Sequence, residues 1–310
     1  MMHTDRQPAA GQHLLSGDIH LRILGFQKTT LLDYPGKLAS LIFTGGCNFR
    51  CPYCQNGELV TGGDEAEPFC EADILNHLKR RAGIIEGLVI SGGEPTLQPG
   101  LVEFAEKVKE LGIAVKLDTN GTNPDVVEML INRGLIDYVA MDIKQCPEKY
   151  HLAAGLQEPG RVAAEGMTGL QNAGSPATGE AAEIQVGQIP LGGIQGSETV
   201  GTVRANGSEK LLQNVRRTAD LLLSGSVDYE FRTTFVDELF EDSDFSAIAK
   251  WIHGAKRYYI QPYRESEGVI APEKCTTPAD ERLEQVLKLL KREMPETELA
   301  LRGYELAEGK

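Results

Sequence analysis

Three cysteines lie within one short segment, TGGCNFRCPYCQN, at Cys47, Cys51 and Cys54. Three residues separate the first pair and two separate the second, so one loop carries all three thiols. A glycine pair before the first cysteine and a proline after the second indicate a loop of defined shape. Three thiolates on such a loop can wrap a cubane iron–sulfur cluster, which normally takes four cysteines. One iron would then keep an open position, as catalytic metals do for substrate.

A structural zinc site is the alternative for these cysteines. Structural zinc takes four ligands, typically from paired C-x2-C units, so a histidine or one of Cys70, Cys146 and Cys275 would have to complete it. Those three cysteines are scattered along the chain, and free cysteine is commonly buried as a small hydrophobic residue. Cys146 and Cys275 also lack the paired spacing of a second cluster. The pattern therefore favours one iron–sulfur cluster.

A second candidate segment is SGGEP, at residues 91–95. Gly92 and Gly93 would let the backbone come close to a ligand, because glycine has no side chain to keep it away. Glu94 could accept hydrogen bonds from an ammonium group. Most Gly-Gly pairs are simple turns, so this segment indicates a ligand-binding site only in combination with the cysteine loop.

Both motifs directly follow apolar runs that alternate with helical patterns along most of the chain. Strands are predicted at 38–43, 87–91, 114–119, 138–143, 228–235 and 257–261, with 298–302 as a further candidate. Helices are predicted at 71–81, 101–111, 124–133, 209–223, 245–252 and 279–294. Apolar strands that alternate with helices predict a parallel sheet covered by helices. About six β/α units predict an α/β fold, a partial TIM-type barrel open on one side, with its chemistry at the carboxyl ends of the strands. A doubly wound open sheet is the alternative.

Composition excludes several other classes of protein. The 310 residues include 45 acidic and 31 basic side chains, a net charge of −14, which argues against nucleic-acid binding through bulk charge. No apolar run is long enough for a transmembrane helix or a signal peptide, so we expect a cytoplasmic protein without a membrane partner.

Two parts of the chain are predicted to lie outside the folded domain. Residues 1–18 are predicted to be a disordered tail. Residues 155–207 contain twelve glycines, seven alanines and no aromatic residue, so they cannot bury enough apolar surface to offset their ordering entropy. We therefore predict a flexible insertion there, within a single domain made of 19–154 and 208–305.

With these motifs the chain resembles the radical S-adenosylmethionine (SAM) enzymes. The three cysteines match the signature of that family, with Tyr53 as the aromatic residue before the last cysteine, and the GGE segment matches a second family motif. Five further segments resemble the activating enzymes of glycyl radical enzymes, especially the long form of the anaerobic ribonucleoside-triphosphate reductase activating protein. They are TLLDYPGK at 30–37, DTNG at 118–121, MDIK at 141–144, FRTT at 231–234 and QPYR at 261–264.

The resemblance implies a [4Fe–4S] cluster on the three cysteines, with SAM chelating the open iron. One external electron, from a flavodoxin or a ferredoxin, would cleave SAM to a 5′-deoxyadenosyl radical. That radical would take a hydrogen atom from a backbone glycine of a partner protein. The resemblance points to the anaerobic ribonucleoside-triphosphate reductase as that partner. A radical SAM enzyme that acts on a small molecule such as a 7-deazaguanine-type base, and a non-enzymatic iron–sulfur or zinc carrier, are the alternatives.

The resemblance also implies roles for individual side chains. Tyr53 would lie against the adenine, and Gly92, Gly93 and Glu94 would contact the methionine ammonium. Asp118, Thr119 and Asp142 would lie near the methionine carboxylate, where some relatives hold a monovalent cation. Lys144 and Arg264 would pair with a carboxylate, and Arg232 would contact the ribose or the carboxylate. Asp33 would face the protein substrate. From the residues alone, Asp118 could instead be a turn residue. Asp142 and Lys144 share one strand face, which could be internal or solvated, and either arginine could form a surface ion pair.

Overall fold

The computed structural model describes residues 20–61, 67–156 and 203–303. Its strands are β1 (Ile23–Thr30), β2 (Ala39–Thr44), β3 (Gly87–Gly92), β4 (Ala114–Thr119), β5 (Tyr138–Asp142), β6 (Asp228–Phe235), β7 (Arg257–Pro262) and β8 (Glu298–Leu301). Its helices are α1 (Gly57–Thr61), α2 (Glu71–Arg80), α3 (Leu101–Glu110), α4 (Pro124–Asn132), α5 (Tyr150–Ala154), α6 (Val203–Leu223), α7 (Asp242–Trp251) and α8 (Asp280–Glu293).

All eight strands form one sheet in the order of the sequence. Strands β2 to β8 are parallel to their neighbours, and β1 runs antiparallel to β2 at the edge. Within the described residues, β1 and β8 do not pair, so the sheet stays open on one side. This confirms the predicted partial barrel, whose six strands are β2 to β7, and the candidate run at 298–302 supplies a seventh parallel strand, β8.

The edge strand β1 was not predicted from the sequence. Its residues ILGFQKTT are mostly half-buried or exposed, and only Ile23 and Thr30 at its two ends are buried. An antiparallel edge strand with one solvated face does not need the continuous apolar run that marks a central parallel strand. The apolar pattern used to find the other strands is therefore weak here.

Helices cover the outer face of the sheet through regularly spaced apolar side chains. Helix α3 buries Leu101, Phe104 and Val108, which recur at the spacing of one helix face. Helix α8 buries Val286 and Leu290 in the same way. With the outer face used for packing, the polar residues of the strands are left on the inner face, where the site forms.

A small apolar cluster closes the inner face near the amino ends of the strands. Tyr34, from the loop between β1 and β2, packs there with Leu41, Val89 and Tyr138. A Cβ atom at Gly87 would lie 2.7 Å from the Tyr34 ring, so this strand begins with the only residue that leaves room for the ring. The DYPG segment thus seals the bottom of the barrel and leaves a cavity above it.

The predicted tail at 1–18 and most of the predicted insertion at 155–207 lie outside the described residues. Helix α6 begins at Val203, inside the range predicted as insertion. No helix in the described ranges is long and apolar enough to cross a membrane.

Candidate active site

A cavity of about 560 Å³ lies at the carboxyl ends of the strands. All but one of the site residues predicted from the sequence line it, from segments far apart in the chain. They are Asp33, Cys47, Cys51, Tyr53, Cys54, Gly92, Gly93, Asp118, Thr119, Asp142, Lys144, Arg232 and Arg264. Glu94 is the exception.

The cysteine loop is held in place by backbone hydrogen bonds on several sides. The Arg50 amide donates to the Ala154 carbonyl at 2.9 Å, and the Ala271 amide donates to the Pro52 carbonyl at 2.9 Å. Burial raises the pKa of the Cys51 thiol to about 12 and also raises that of Cys47. Because metal ligands must be thiolates, cluster assembly on this loop has to displace bound protons.

The donor groups around the cavity fit an iron–sulfur cluster with an organic cofactor beside it. In the part of the chain that the structure describes, no three His, Cys, Asp or Glu side chains gather closely enough to hold one metal ion. The three thiols instead surround the cavity, as suits ligands to separate irons of a cluster. Tyr53 lines the same cavity, and its buried hydroxyl has no hydrogen-bond partner among the residues that the structure describes. An unpaired buried hydroxyl is costly, so a polar ligand atom beside it would stabilise the site.

The two glycines of the GGE segment lie so close to the backbone of the cysteine loop that no larger residue fits at either position. A Cβ atom at Gly93 would lie 1.8 Å from the Gly46 carbonyl oxygen. Gly92 has a φ of +118°, and a Cβ atom there would lie 2.3 Å from the Thr44 amide nitrogen. The sequence predicts that these glycines admit a ligand; in the structure they make room for the backbone of the cysteine loop and also line the cavity.

Glu94 lies behind the cavity wall, completely buried. Its carboxylate accepts from the Thr96 amide at 3.1 Å and hydroxyl at 2.5 Å, from the Thr119 hydroxyl at 2.7 Å and from the Asn120 amide at 2.7 Å. Burial raises the pKa of Glu94, and these donors act against that rise. The carboxylate thereby ties the end of β3 to the end of β4.

We expect Glu94→Gln to destabilise the fold, because in either orientation its amide nitrogen would face a backbone N–H group, that of Thr96 or that of Asn120, which can only donate. Leaving buried donors unsatisfied should lower the free energy of unfolding by about 1–3 kcal/mol, measured by urea denaturation. The matched control is Glu103→Gln on the exposed face of α3, expected to stay within about 0.5 kcal/mol of wild type. Equal stability of the two variants would contradict this role for Glu94.

Charged side chains of β4, β6 and the end of β5 form a chain of ion pairs along the cavity wall. Lys116 Nζ lies 2.5 Å from Asp118 Oδ1, and Arg232 Nη1 lies 3.2 Å from Asp118 Oδ2. Arg232 Nε lies 2.9 Å from Asp142 Oδ1, and Lys144 Nζ lies 2.9 Å from Asp142 Oδ2. Positive and negative groups alternate, with one more cation than anion.

This alternation determines the charge state of both carboxylates. Burial alone would raise the pKa of Asp118 and of Asp142, but Arg232 and the neighbouring lysines hold both below their usual range. The carboxylates therefore stay ionised at neutral pH, and the ion-pair chain keeps a net positive charge. A cavity wall of this charge suits a ligand with a carboxylate group. Asp118, Asp142, Lys144 and Arg232 line the cavity, and Lys116 is buried next to Asp118, so these groups form neither a solvated edge nor a surface ion pair.

The sequence motifs did not include Lys116, although a lysine inside the apolar strand AVKLDT, two residues before Asp118, indicates a buried charge. Its side chain is buried, and burial lowers its pKa while Asp118 raises it. The ammonium group stands beside the carboxylate where the resemblance implied a monovalent cation in some relatives. Because Lys116 already pairs with this carboxylate, we expect the protein to need no bound monovalent cation there.

We therefore expect Lys116→Ala to make the protein dependent on small monovalent cations. Replacing choline chloride with potassium or sodium chloride should raise the Tm of the variant by about 4 °C, because a cation that binds only the folded state stabilises it. Wild type and Lys288→Ala, which alters an exposed pair with Glu284, should not respond. A rise in the Tm of wild type with potassium or sodium would contradict the idea that the Lys116 ammonium takes the place of a bound cation.

The two remaining predicted residues reach the cavity from opposite ends of the sheet, since Asp33 lies in the loop between β1 and β2 and Arg264 follows β7. Asp33 is half-buried and accepts from the Thr30 hydroxyl, and Arg264 is exposed and donates to the Gly303 carbonyl. Leu31 and Leu32, next to Asp33, are 76% and 83% exposed. The loop between β1 and β2 therefore presents apolar side chains to solvent directly beside a residue that lines the cavity.

The sequence of this chain is similar to a known family of enzymes and to several individual proteins. A family model described as the radical SAM superfamily matches residues 41–180. A candidate glycyl-radical enzyme activating enzyme of Methanocaldococcus jannaschii is 29% identical over 276 residues, which cover 87% of this chain and 92% of that protein. A pyruvate formate-lyase-activating enzyme of Clostridium pasteurianum is 32% identical over 130 residues, which cover 40% of this chain and 52% of that protein.

Two further matches cover about half of the protein they match. A 7-carboxy-7-deazaguanine synthase of Neisseria meningitidis serogroup B is 35% identical over 111 residues, which cover 36% of this chain and 46% of the synthase. The crystal structure of Streptococcus suis SuiB bound to S-adenosylmethionine aligns with a TM-score of 0.55 at 12% identity, over 84% of this chain and 49% of SuiB. At that identity the likeness concerns the fold.

Proposed function

We propose that this chain is a radical SAM enzyme and, within that superfamily, an activating enzyme that forms a glycyl radical on a partner protein. The observation that carries the proposal is the similarity to the M. jannaschii candidate activating enzyme over 92% of that protein's length. Membership of the superfamily implies a [4Fe–4S] cluster and SAM as cofactors. When bound and reduced, they supply a 5′-deoxyadenosyl radical that can remove a hydrogen atom from carbon.

The residues of the cavity wall have separate tasks in this proposal. Cys47, Cys51 and Cys54 bind the cluster. The positive excess of the ion-pair chain, at Arg232 and Lys144, binds the methionine carboxylate of SAM. Tyr53 also lines the cavity, and its hydroxyl, which lacks a partner within the described ranges, binds a polar atom of the nucleoside. Because β4, β5 and β6 hold these groups rigidly, little reorganisation is needed when the ligand binds.

A protein substrate fits the open side of this sheet. A buried small-molecule pocket would need closed walls, whereas β1 and β8 leave a gap between them in the described part of the chain. The exposed leucines beside Asp33, in the loop that follows edge strand β1, supply apolar surface for a polypeptide segment. In this proposal Asp33 faces the loop of the partner that carries the glycine.

The partner we propose is an anaerobic ribonucleoside-triphosphate reductase, with a flavodoxin or a ferredoxin as electron donor. The LDYPGK, DTNG and MDIK segments support this choice. In the test, the anaerobically reconstituted chain is mixed with dithionite, SAM and the candidate reductase, and a glycyl radical doublet is sought by EPR. We expect the doublet only when SAM is present, and no doublet from a reductase whose radical-site glycine is replaced by alanine. Formation of 5′-deoxyadenosine without a doublet would reject this partner.

A small-molecule radical SAM reaction is the second candidate, supported by the match to the deazaguanine synthase. That match covers 36% of this chain, against 87% for the candidate activating enzyme. A small molecule that speeds 5′-deoxyadenosine formation in the absence of any partner protein would favour this alternative. A reduced cluster that never cleaves SAM would instead favour a non-enzymatic carrier.

A further inference from the structure

Asn120 places an N–H group against one sulfur of the cysteine loop. It directly follows β4, its side chain is 5% exposed, and its Nδ2 lies 3.8 Å from Cys47 Sγ. The same nitrogen donates its other hydrogen to Asn48 Oδ1 at 2.9 Å. The Phe49 amide also donates to this sulfur, at 3.4 Å. The Cys47 sulfur thus accepts from a backbone N–H within its own loop and from a side-chain N–H that belongs to a distant part of the chain.

The orientation of the Asn120 amide is determined by a closed ring of hydrogen bonds. Its Oδ1 accepts from the Thr122 amide at 3.0 Å and from the Thr122 hydroxyl at 2.7 Å. The Asn48 amide nitrogen donates to that hydroxyl at 2.8 Å, which closes the ring. Since both Thr122 groups donate to its oxygen, the nitrogen of Asn120 must face Asn48 and Cys47.

The backbone of Asn120 is held as firmly as its side chain. Its amide donates to Glu94 at 2.7 Å, and the Glu94 carboxylate is itself anchored by Thr96 and Thr119. All of these groups are buried, so little water competes for the hydrogen bonds. The N–H group that faces Cys47 is therefore in place before any ligand binds.

We propose that Asn120 tunes the reduction potential of the cluster through its hydrogen bond to the Cys47 sulfur. The inference rests on the proposed binding of the cluster by Cys47. One-electron reduction adds negative charge to the cluster and its sulfurs, and an N–H donor stabilises that charge more in the reduced state than in the oxidised state. Asn120 therefore raises the potential and makes the cluster easier to reduce.

The test is a redox titration of the reconstituted protein with dithionite, followed by EPR of the reduced cluster. For Asn120→Ala we expect the equilibrium constant for one-electron reduction to fall about tenfold, which corresponds to ~59 mV. Thr122→Val keeps the donor but loosens its orientation, so it should shift the potential in the same direction by less. The matched control is Asn123→Ala, whose amide donates to the Thr96 carbonyl at 2.9 Å, and it should titrate like wild type.

A second substitution keeps the test decisive if the alanine variant fails to assemble a cluster. Asn120→Asp has nearly the same shape but presents an oxygen to the sulfur, so the potential should fall at least as far as in Asn120→Ala. An unchanged potential, in either variant with the iron content of wild type, would overturn the proposal and leave the activating function standing. Wild-type protein that binds no cluster would overturn both.

Discussion

Cys51→Ala is expected to abolish cluster assembly and, with it, 5′-deoxyadenosine formation. Cys51 is the buried thiol of the three, and the remaining cysteines are unsuited to replace it. Cys146 donates to Asp244 at 3.5 Å, and Cys275 donates to the Ala271 carbonyl at 3.5 Å. Neither of them lines the cavity. The measurement is iron content after anaerobic reconstitution, followed by a product assay with dithionite and SAM.

The matched control for this prediction is Cys70→Ala. Cys70 is exposed at the start of α2 and is absent from the cavity wall, so its loss should leave iron content and product unchanged. Product from Cys51→Ala above about a tenth of the wild-type amount would show that this thiol is not an essential ligand.

Arg232→Met is expected to lower both the stability of the fold and the affinity for SAM, because Arg232 joins the two carboxylates of the ion-pair chain. Each aspartate would keep one lysine but would lose the guanidinium between them. Breaking a buried pair by removing one partner costs about 3–5 kcal/mol, and the 14% and 28% exposure of Asp118 and Asp142 indicates the lower end of that range. We expect the free energy of unfolding to fall by about 3 kcal/mol, measured in urea. Affinity for SAM should fall more than about tenfold.

Two further variants separate the role of charge from that of geometry at Arg232. Arg232→Lys keeps the charge but cannot donate to both carboxylates with one rigid fork, so partial recovery of SAM affinity is expected. Arg217→Met breaks an exposed pair with Asp125 and should change stability by less than about 1 kcal/mol. If Arg232→Met were no worse than Arg217→Met, the ion-pair chain would have no part in binding or stability.

The cysteine loop and the strand pattern were predictable from the sequence because both are local. The three thiols lie on one continuous loop, so their spacing alone restricts the chemistry they can perform. Central parallel strands such as β3 and β5 are apolar throughout, which separates them from the helices. Edge strand β1 lacks that pattern, since one side of it is solvated.

Contacts between distant segments were decided only by the tertiary structure. The sequence predicts that Glu94 contacts the methionine ammonium, but it gave no sign that the packing of β3 against β4 also sets the carboxylate against the Thr119 hydroxyl and the Asn120 amide. Likewise, Asn120 reaches Cys47 across 73 positions of the chain. The physical reason is that strand register and the direction of each strand end determine which side chains meet. Both depend on the packing of the whole sheet, which no short segment specifies.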